Sequence, residues 1–283
     1  MELKNKKYLI TGGTGFLGTA LIDKLYSEKH SLRIISRNEG KLISLKEKFP
    51  SIEIYSGDVS DEFEVHQAMK DIDGVFHLAA SKHVGLAEKF VRECVKSNTI
   101  GSLNILEESI NKKLDFIIGI STDKAAQVSG VYGASKLLME RLFSQYEKLN
   151  TDTKYRIVRY GNVLYSTGSV LCKWRDLIKE NKQCVVTDLE ATRFYWTVEQ
   201  AVKLIFDCLD QAVDSSPFCP KMKSMKIADL LKAMYIKYGN GKYIEPKIIG
   251  LQAGENKHEK IFDCGPYSNE VENFSIEELL QLI

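Results

Sequence analysis

The chain has 283 residues, 44% of them hydrophobic, and a formal net charge of +1 at pH 7. This length suits one large α/β unit with a sizeable core, and the small net charge excludes a general attraction to nucleic acid or anionic lipid. No apolar run is long enough to cross a bilayer, and the first residues lead into a strand pattern rather than a signal peptide, so we expect no membrane partner. The six cysteines form no Cys-x-x-Cys pair, which favours free thiols in the reducing cytoplasm over disulfides or a metal site.

Short apolar runs alternate with amphipathic stretches through the first part of the chain. Strands are predicted at Lys7–Thr11, Ser31–Ser36, Ile52–Tyr55, Gly74–Ala79, Phe116–Ile120 and Tyr155–Tyr160. Helices are predicted at Phe16–Tyr26, Glu39–Phe49, Asp61–Lys70, Leu86–Ile110 and Gly130–Lys148. This alternation is typical of βαβ units, so we predict an α/β fold with a Rossmann-type, doubly wound parallel sheet. After Asn162 the pattern loosens, which indicates a dinucleotide-binding domain at 1–162 and a smaller, interleaved lobe at 163–283.

A glycine-rich loop joins the first strand to the first helix. Gly12 permits the tight turn, Gly15 lets the backbone approach a pyrophosphate, and Gly18 allows close packing of helix on strand. The helix N-terminus adds amide donors and a favourable dipole. In this strand–loop–helix context the glycines predict a dinucleotide site rather than a purely structural turn. The other candidate contacts in the loop are Thr14, Phe16 and Leu17.

The ends of the second and third strands bear on the choice of cofactor. The second strand ends in Ser36 and Arg37, with no acid to accept a hydrogen bond from a ribose 2′-hydroxyl. Arg37 can instead pair with a 2′-phosphate, which favours NADP over NAD, although a solvated loop cation is the alternative. Asp58 and Val59 follow the third strand, where an acid can contact the adenine amine. Asp58 could equally cap the next helix.

A tyrosine and a lysine stand four positions apart on one predicted helix. Lys136 can lower the pKa of Tyr132 and hold the nicotinamide ribose, and Tyr132 can exchange a proton with a substrate hydroxyl during hydride transfer. The pair follows a dinucleotide loop and the strand-end residues Ser121 and Thr122, which makes a chance surface pair the weaker interpretation.

Asp123 and Lys124 come just after the predicted strand Phe116–Ile120, where catalytic side chains of such sheets project. A carboxyl and an amine supply a general acid and a general base, which the elimination of water from a sugar requires. A helix cap followed by a solvent-facing lysine is an equally open interpretation of these two residues.

Several blocks of the sequence together resemble the extended short-chain dehydrogenases of polysaccharide biosynthesis, and most closely the soluble, inverting UDP-N-acetylglucosamine 4,6-dehydratases. The resemblance covers nearly the whole chain. It rests on Gly12–Gly18, Ala79–Val84, Ser121–Ala126, Tyr132–Lys136, Arg159–Val163, Gly168–Val170, Thr192–Phe194, Ser224–Lys226, Gly254–Glu255 and His258–Glu259.

The resemblance implies roles for individual residues. Lys124 would be the base at sugar C5, and Asp123 the acid that protonates the leaving 6-hydroxyl. The further cofactor contacts would be Ala79, Ala80, Lys82, Ser121, Thr122, Val163 and Leu164. The sugar nucleotide would be held by Lys82, His83, Asn162, Ser169, Val170, Arg193 and Glu255.

The chain departs from the family pattern in two places. Gln252 stands where the family has an arginine, and it cannot make the bidentate, charged phosphate contact of that residue. The C-terminal lobe is also shorter than in the family. Tyr132 agrees with the inverting type, since the membrane-bound, retaining relatives carry methionine there.

The resemblance therefore implies a redox-neutral, NADP-dependent hydro-lyase that acts on a UDP-N-acetylhexosamine, in the first instance UDP-N-acetylglucosamine. Tyr132 would receive the C4 hydroxyl proton, and reprotonation of C5 from the opposite face would give an inverted 4-keto-6-deoxy sugar for glycan synthesis. A 4-epimerase or 4-keto reductase is the enzymatic alternative, and a non-catalytic NADP-sensing regulator is the second alternative. Relatives assemble through helices like Leu86–Ile110 and Gly130–Lys148, so we expect a homo-oligomer.

Overall fold

The computed structural model describes residues 6–110 and 112–283. The prediction that the first residues form no signal peptide therefore falls mostly outside the described residues. The strands are β1 (Lys7–Thr11), β2 (Ser31–Ser36), β3 (Glu53–Ser56), β4 (Gly74–His77), β5 (Phe116–Thr122), β6 (Lys154–Tyr160), β7 (Asn162–Val163), β8 (Val185–Val186), β9 (Thr192–Arg193), β10 (Tyr195–Trp196), β11 (Pro217–Phe218), β12 (Met225–Lys226) and β13 (Lys247–Ile248). The helices are α1 (Phe16–Ser27), α2 (Glu39–Lys48), α3 (Glu62–Ala68), α4 (Val84–Lys89), α5 (Val91–Val95), α6 (Gly101–Ile110), α7 (Val131–Leu149), α8 (Val170–Lys179), α9 (Val198–Gln211), α10 (Ile227–Tyr238) and α11 (Ile276–Leu282).

Seven strands form one sheet in the order β3-β2-β1-β4-β5-β6-β11, and every neighbouring pair in it is parallel. The predicted Rossmann-type, doubly wound sheet is therefore confirmed. Because parallel strands reach the same edge with their carboxyl ends, the loops after β1, β2, β4, β5 and β6 gather at one side of the molecule.

Helices cover both faces of this sheet, as a parallel sheet requires. Successive strand residues point to opposite faces. In β1, Tyr8 and Ile10 pack with α1, α2 and α9, whereas Leu9 packs with α3, α6 and α7. All three side chains are fully buried.

A third core builds the smaller lobe from α8, α10 and α11. Leu171 and Trp174 of α8 meet Leu230 and Leu231 of α10, with Leu279 of α11 closing the cluster. The chain does not stay in this lobe after Asn162. Helix α9 packs on the large sheet and β11 extends its edge beside β6, so the two parts of the chain interleave.

The single helix predicted at Leu86–Ile110 is wrong in detail. The chain forms α4, α5, a π-helical turn at Lys96–Ile100 and then α6. Phe90 separates α4 from α5 with a non-helical backbone (φ −118, ψ 57). The π-helical turn carries Asn98, whose buried side chain bonds Ser81 and Ser135. These long-range bonds coincide with the turn and are invisible to a local helix pattern.

The predicted strand ends differ by one or two residues from the observed ones. The third strand begins and ends one residue later than predicted, and the fourth ends at His77 rather than at Ala79. The fifth continues to Thr122. Within the described ranges, no helix is both long enough and apolar enough to cross a membrane.

A buried ion pair joins α7 to β6. Arg159 donates from Nε to Glu140 Oε1 (2.8 Å) and from Nη2 to Glu140 Oε2 (2.7 Å), and both side chains are at most 5% exposed. Ser121, at the end of β5, donates to the same carboxylate (2.5 Å). Arg159 also donates from Nη1 to the Ile261 carbonyl (2.7 Å) and to Asp263 (3.1 Å). One charge pair thus connects β5, β6, α7 and the C-terminal segment.

Replacing Glu140 with glutamine is expected to lower the free energy of unfolding by about 3–5 kcal/mol, because the buried guanidinium loses its buried charged partner and keeps only Asp263, which is 55% exposed. Urea unfolding followed by circular dichroism measures this loss. The matched control is Asp207→Asn, which removes the exposed i,i+4 partner of Lys203 and should cost only about 0.3–0.5 kcal/mol. A loss below about 1 kcal/mol for Glu140→Gln would mean that the buried pair contributes no more than a surface pair.

Candidate active site

The glycine loop after β1 is packed too tightly for side chains. Gly12 has a φ of +67, and a Cβ added there would lie 2.8 Å from the backbone nitrogen and Cα of Ala79. A Cβ on Gly18 would lie 2.6 Å from the Gly12 oxygen. Gly15 is exposed at the start of α1, so its backbone is open to a ligand. Gly13, to which the sequence assigned no role, brings the loop against Ile34, where a Cβ would clash at 2.6 Å.

The end of β2 lies beside this loop. Thr14 and Ser36 share a hydrogen bond between their hydroxyls (2.7 Å). The Arg37 guanidinium is 65% exposed and lies 3.6 Å from Asp58 Oδ2. Asp58 does not cap α3, so that alternative is wrong: it accepts from the Ser60 amide, and Asp61 is the N-cap residue. Arg37 and Asp58 therefore frame the end of the loop with their charges facing each other.

Two predicted cofactor contacts lie with their side chains in hydrophobic cores. Val59 packs in the core of α3 and α6, and Leu164 in the core of the smaller lobe, each at most 6% exposed. Val59 and Leu164 can therefore contact a ligand only through their backbone atoms. Phe16 and Leu17, in the first turn of α1, are partly exposed, as are Ala79 and Ala80 after β4.

Tyr132 and Lys136 lie one turn apart at the start of α7, where Lys136 is buried and Tyr132 is partly exposed. Lys136 Nζ donates to the Ile120 carbonyl on β5 (2.7 Å), and burial lowers the pKa of Lys136 to about 8. Burial raises the pKa of Tyr132 to about 12, while the Lys124 ammonium opposes this rise. Lys124 is thus the main cation that lowers the pKa of Tyr132, and the ammonium of Lys136 is bonded to a carbonyl of β5, so the expected effect of Lys136 on Tyr132 stays a prediction.

Asp123 and Lys124 form a short 3₁₀ turn at the end of β5. Thr122 is its N-cap residue, and Lys124 is only 12% exposed, so the interpretation of a capping aspartate and a solvent-facing lysine is wrong. Asp123 Oδ1 accepts from the Thr122 hydroxyl (2.9 Å) and from Lys124 Nζ (3.1 Å). Its other oxygen, Oδ2, is buried without a hydrogen-bond partner among the described residues.

A second carboxylate, which the sequence prediction missed, contacts the same ammonium. Glu259 Oε1 lies 3.4 Å from Lys124 Nζ and 3.9 Å from Arg193 Nε, and the Glu259 side chain is fully buried. Burial lowers the pKa of Lys124, but Asp123 and Glu259 outweigh it, so that the pKa is raised overall. The only sequence signal for Glu259 was its place in the His258–Glu259 block.

Asn98 is the other residue that the sequence prediction missed. Its amide accepts from the Ser81 backbone nitrogen (2.7 Å) and donates to the Ser81 carbonyl (3.0 Å) and to Ser135 Oγ (2.9 Å). Ser135 in turn donates to the Tyr132 carbonyl. Asn98 therefore connects the loop after β4 to the helix turn that carries Tyr132.

Four of the predicted substrate contacts lie close together at the start of α8. Lys82 Nζ donates to the Thr167 carbonyl (3.4 Å), and His83 packs against Gly168, where a Cβ would lie 3.1 Å from its ring. Burial lowers the pKa of both Lys82 and His83. Ser169 and Val170, which begin α8, directly follow Gly168 and complete this group.

The remaining predicted substrate contacts are engaged within the protein. Asn162 donates its backbone NH to the Phe194 carbonyl (2.7 Å). Arg193 donates from Nη1 to the carbonyls of Thr192 and Lys257, so it holds the C-terminal segment as well as Glu259. Glu255 accepts from the Gln252 backbone nitrogen and closes a turn. That turn contacts the start of α7 through a hydrogen bond from Ser129 to the Gly254 carbonyl.

Comparison with known proteins bears out the resemblance. A family model described as polysaccharide biosynthesis protein matches residues 8–278. The UDP-N-acetylglucosamine 4,6-dehydratase (inverting) of Campylobacter jejuni subsp. jejuni serotype O:2 is 36% identical over 278 residues, which cover 95% of this chain and 81% of that protein. The UDP-glucose 4-epimerase of Rickettsia canadensis is 32% identical over 266 residues, 91% of this chain and 77% of that protein. Among solved structures, Pen from Bacillus thuringiensis superposes with a TM-score of 0.93 at 32% identity, covering 100% of this chain and 98% of that one.

Proposed function

The chain belongs to the polysaccharide biosynthesis protein family, and we propose that it dehydrates a UDP-N-acetylhexosamine, in the first instance UDP-N-acetylglucosamine, to its 4-keto-6-deoxy sugar with inversion at C5. The observation that carries this proposal is the buried Asp123–Lys124 pair beside Tyr132. The printed name of the Campylobacter jejuni relative supports the same reaction, since it is an inverting UDP-N-acetylglucosamine 4,6-dehydratase.

The loop after β1 fits a nicotinamide dinucleotide, because Gly15 is exposed at the start of α1 and leaves the backbone there open to a phosphate, while Gly12 and Gly18 allow the tight turn and close packing of such loops. The residues that would hold it are those of the loop and of the ends of β2, β4 and β5, together with Tyr132 and Lys136. When bound, the nicotinamide supplies the redox chemistry by taking hydride from C4 and returning it to C6. The remaining steps of the reaction belong to side chains of this chain.

Tyr132 receives the proton of the C4 hydroxyl in the proposed reaction. The Lys124 ammonium and the Thr122 hydroxyl both act against burial and lower its pKa. Burial outweighs them and holds the pKa of Tyr132 at about 12, so Tyr132 must give up its own proton before it can receive that of the sugar hydroxyl. Oxidation at C4 acidifies the neighbouring C5–H bond, which prepares the elimination.

Elimination of water needs a proton for the leaving 6-hydroxyl, and Asp123 and Lys124 already share one. In the ion pair Lys124 carries the proton, and its transfer over the 3.1 Å to Asp123 yields a neutral amine and a carboxylic acid. The amine of Lys124 can then take the C5 proton while Asp123 gives its proton to the departing 6-hydroxyl. The C6–O bond breaks, water leaves, and a C5=C6 double bond forms. The pair returns to its ionic form without exchange of a net proton with solvent.

The alternatives fit the site less well. An epimerase or a 4-keto reductase needs no elimination acid and base, yet this chain buries Asp123 and Lys124 next to Tyr132. The similarity to a UDP-glucose 4-epimerase keeps that activity as the second candidate. A non-catalytic regulator would not need the pair of Tyr132 and Lys136.

We further propose that the protein prefers NADP and acts as a homo-oligomer in the cytoplasm. The exposed Arg37 guanidinium at the end of β2 is free to meet a 2′-phosphate on its solvent side. An apolar surface of α4, α5 and α7 suits a second copy of the chain, and its members are 36–59% exposed. They are Leu86, Phe90, Val91, Val95 and Leu138. All six cysteines are free, which agrees with a reducing compartment.

The function is tested by incubating the protein with catalytic NADP and UDP-N-acetylglucosamine in deuterated water. Proton NMR should show a C6 methyl signal, deuterium at C5, and a C6 hydrogen that derives from substrate C4. Turnover should need no added reductant. A C4 epimer without the methyl signal would identify an epimerase, a requirement for stoichiometric NADPH would identify a reductase, and the absence of any product would favour a regulator.

Arg37→Ala is expected to weaken NADP binding by about 1.5–3 kcal/mol, the range for a hydrogen bond to a charged group. NAD binding should hardly change, because NAD lacks the 2′-phosphate. Calorimetry with both cofactors measures the difference. Lys48→Ala removes another exposed cation from α2 and serves as the control for a general charge effect. Equal losses for NADP and NAD would contradict the assignment of Arg37.

Asp123→Asn and Lys124→Ala should stop the reaction at different steps. Asp123→Asn should lose roughly 10²–10⁴-fold in turnover, the usual contribution of general acid–base catalysis, but still reduce the cofactor. Because Lys124 then has no Asp123 carboxylate to take its proton, C5–H should exchange only at a pH at which Lys124 loses that proton to solvent. Lys124→Ala should reduce the cofactor without C5 exchange. Stopped-flow absorbance and deuterium-exchange NMR distinguish the two.

The matched control for these variants is Asp176→Asn, which changes a carboxylate on α8 that is 60% exposed. It should turn over like the wild-type protein. Near-wild-type turnover of Asp123→Asn would remove the acid from the proposed mechanism.

A further inference from the structure

Glu259 is a buried carboxylate that the dehydration steps above do not use. It lies in the C-terminal segment and reaches back to the end of β5, where its Oε1 is 3.4 Å from Lys124 Nζ. Its backbone is clamped by Ser268, which accepts from the Glu259 amide through Oγ (3.0 Å) and donates its own amide to the Glu259 carbonyl (2.8 Å). Asn256 donates to Oε2 (3.3 Å). The carboxylate is therefore held in place rather than free to reorient.

Glu259 completes a compact set of four charges. Asp123 and Glu259 are negative, Lys124 and Arg193 are positive, and all but Lys124 are at most 10% exposed at their side chains. Burial and the nearby Asp123 carboxylate raise the pKa of Glu259 against the two cations. Among the described residues, the other titratable groups that face the cluster are Tyr132 from α7, Tyr195 from β10, Cys219 after β11 and His258, whose pKa is lowered by burial and by the cations Lys257 and Arg193.

We propose that Glu259 is a positioning residue, whose carboxylate holds the Lys124 ammonium opposite Asp123 and sets the pH range in which Asp123 and Lys124 share a single proton. The inference rests on the proposed dehydratase function. The single-proton state is the active one, because it contains one acid and one base after internal proton transfer. With two protons Lys124 cannot act as the base, and with none Asp123 cannot act as the acid.

The direction of the pH effect follows from the sign of the charge. A negative group beside the pair favours its protonated forms, so Glu259 raises both the pH at which the pair gains a second proton and the pH at which it loses its last one. Removing that charge should move both limbs of the pH–rate profile to lower pH. A residue that only filled space would lower the rate at every pH and leave the limbs where they are.

The test compares the pH dependence of kcat for the wild-type protein, Glu259→Gln, Glu259→Asp and the control Glu272→Gln, which alters a carboxylate that is 72% exposed in the same segment. Glu259→Gln keeps the shape and loses the charge, so its profile should move to lower pH by about one unit or more. Glu259→Asp keeps the charge but withdraws it by one methylene, so its profile should lie between those of Glu259→Gln and the wild type. Glu272→Gln should match the wild type.

Thermal unfolding identifies which variants are folded. If Glu259→Gln does not fold, the pH profile of Glu259→Asp tests the proposal in its place. Unshifted limbs in the folded variants, whether the rate falls or not, would overturn the proposal. The wild-type protein separates this failure from that of the proposed function: if it forms no 4-keto-6-deoxy product, the dehydratase reaction is wrong. If it dehydrates normally and the variants keep its profile, only the role of Glu259 is wrong.

Discussion

The double hydrogen bond between Arg159 and Glu140 is the interaction on which the geometry of the site depends. Both groups are almost completely buried, and an unpaired charge in the protein interior would be strongly unfavourable. Each side chain therefore has one acceptable position. The two elements that carry them, β6 and α7, are thereby fixed relative to each other. The same carboxylate accepts from Ser121 and the same guanidinium donates to Ile261, which brings in β5 and the C-terminal segment.

Each group of the candidate active site lies a short distance along the chain from one of these four anchors. Lys136 is one helical turn before Glu140 on α7, and Tyr132 is one turn further. Asp123 follows Ser121 by two residues, and Glu259 precedes Ile261 by two. A short stretch of chain from a rigid anchor leaves few torsion angles that can vary. The side chains are therefore already ordered before a ligand binds, and binding energy is not needed to order them. The buried pair therefore fixes the positions of these candidate residues relative to one another.

A feature of the fold or of the candidate site can be predicted from the sequence when residues close together in the chain determine it. The strand and helix alternation is local, and it predicted the parallel sheet and the loop after β1. The motif that carries Tyr132 and Lys136 is local as well. The break at Phe90 and the π-helical turn are not, because they accompany bonds from Asn98 to the loop after β4 and to helix α7, which are distant in the chain. Glu259 was missed for the same reason: its function depends on contacts with Lys124 and Arg193, which only the folded chain brings together.

The path of the chain between the two lobes explains why the site forms where it does. Strand β10 pairs with β7, and its two residues belong to different cores: Trp196 packs under the large sheet, whereas Tyr195 packs in the smaller lobe. Because adjacent strand residues point in opposite directions, this short strand joins both cores. Arg193, two residues before Tyr195, reaches Glu259. The charges around Lys124 thus come from both lobes, so the set of Asp123, Lys124, Arg193 and Glu259 is complete only where the smaller lobe meets the turn at the end of β5.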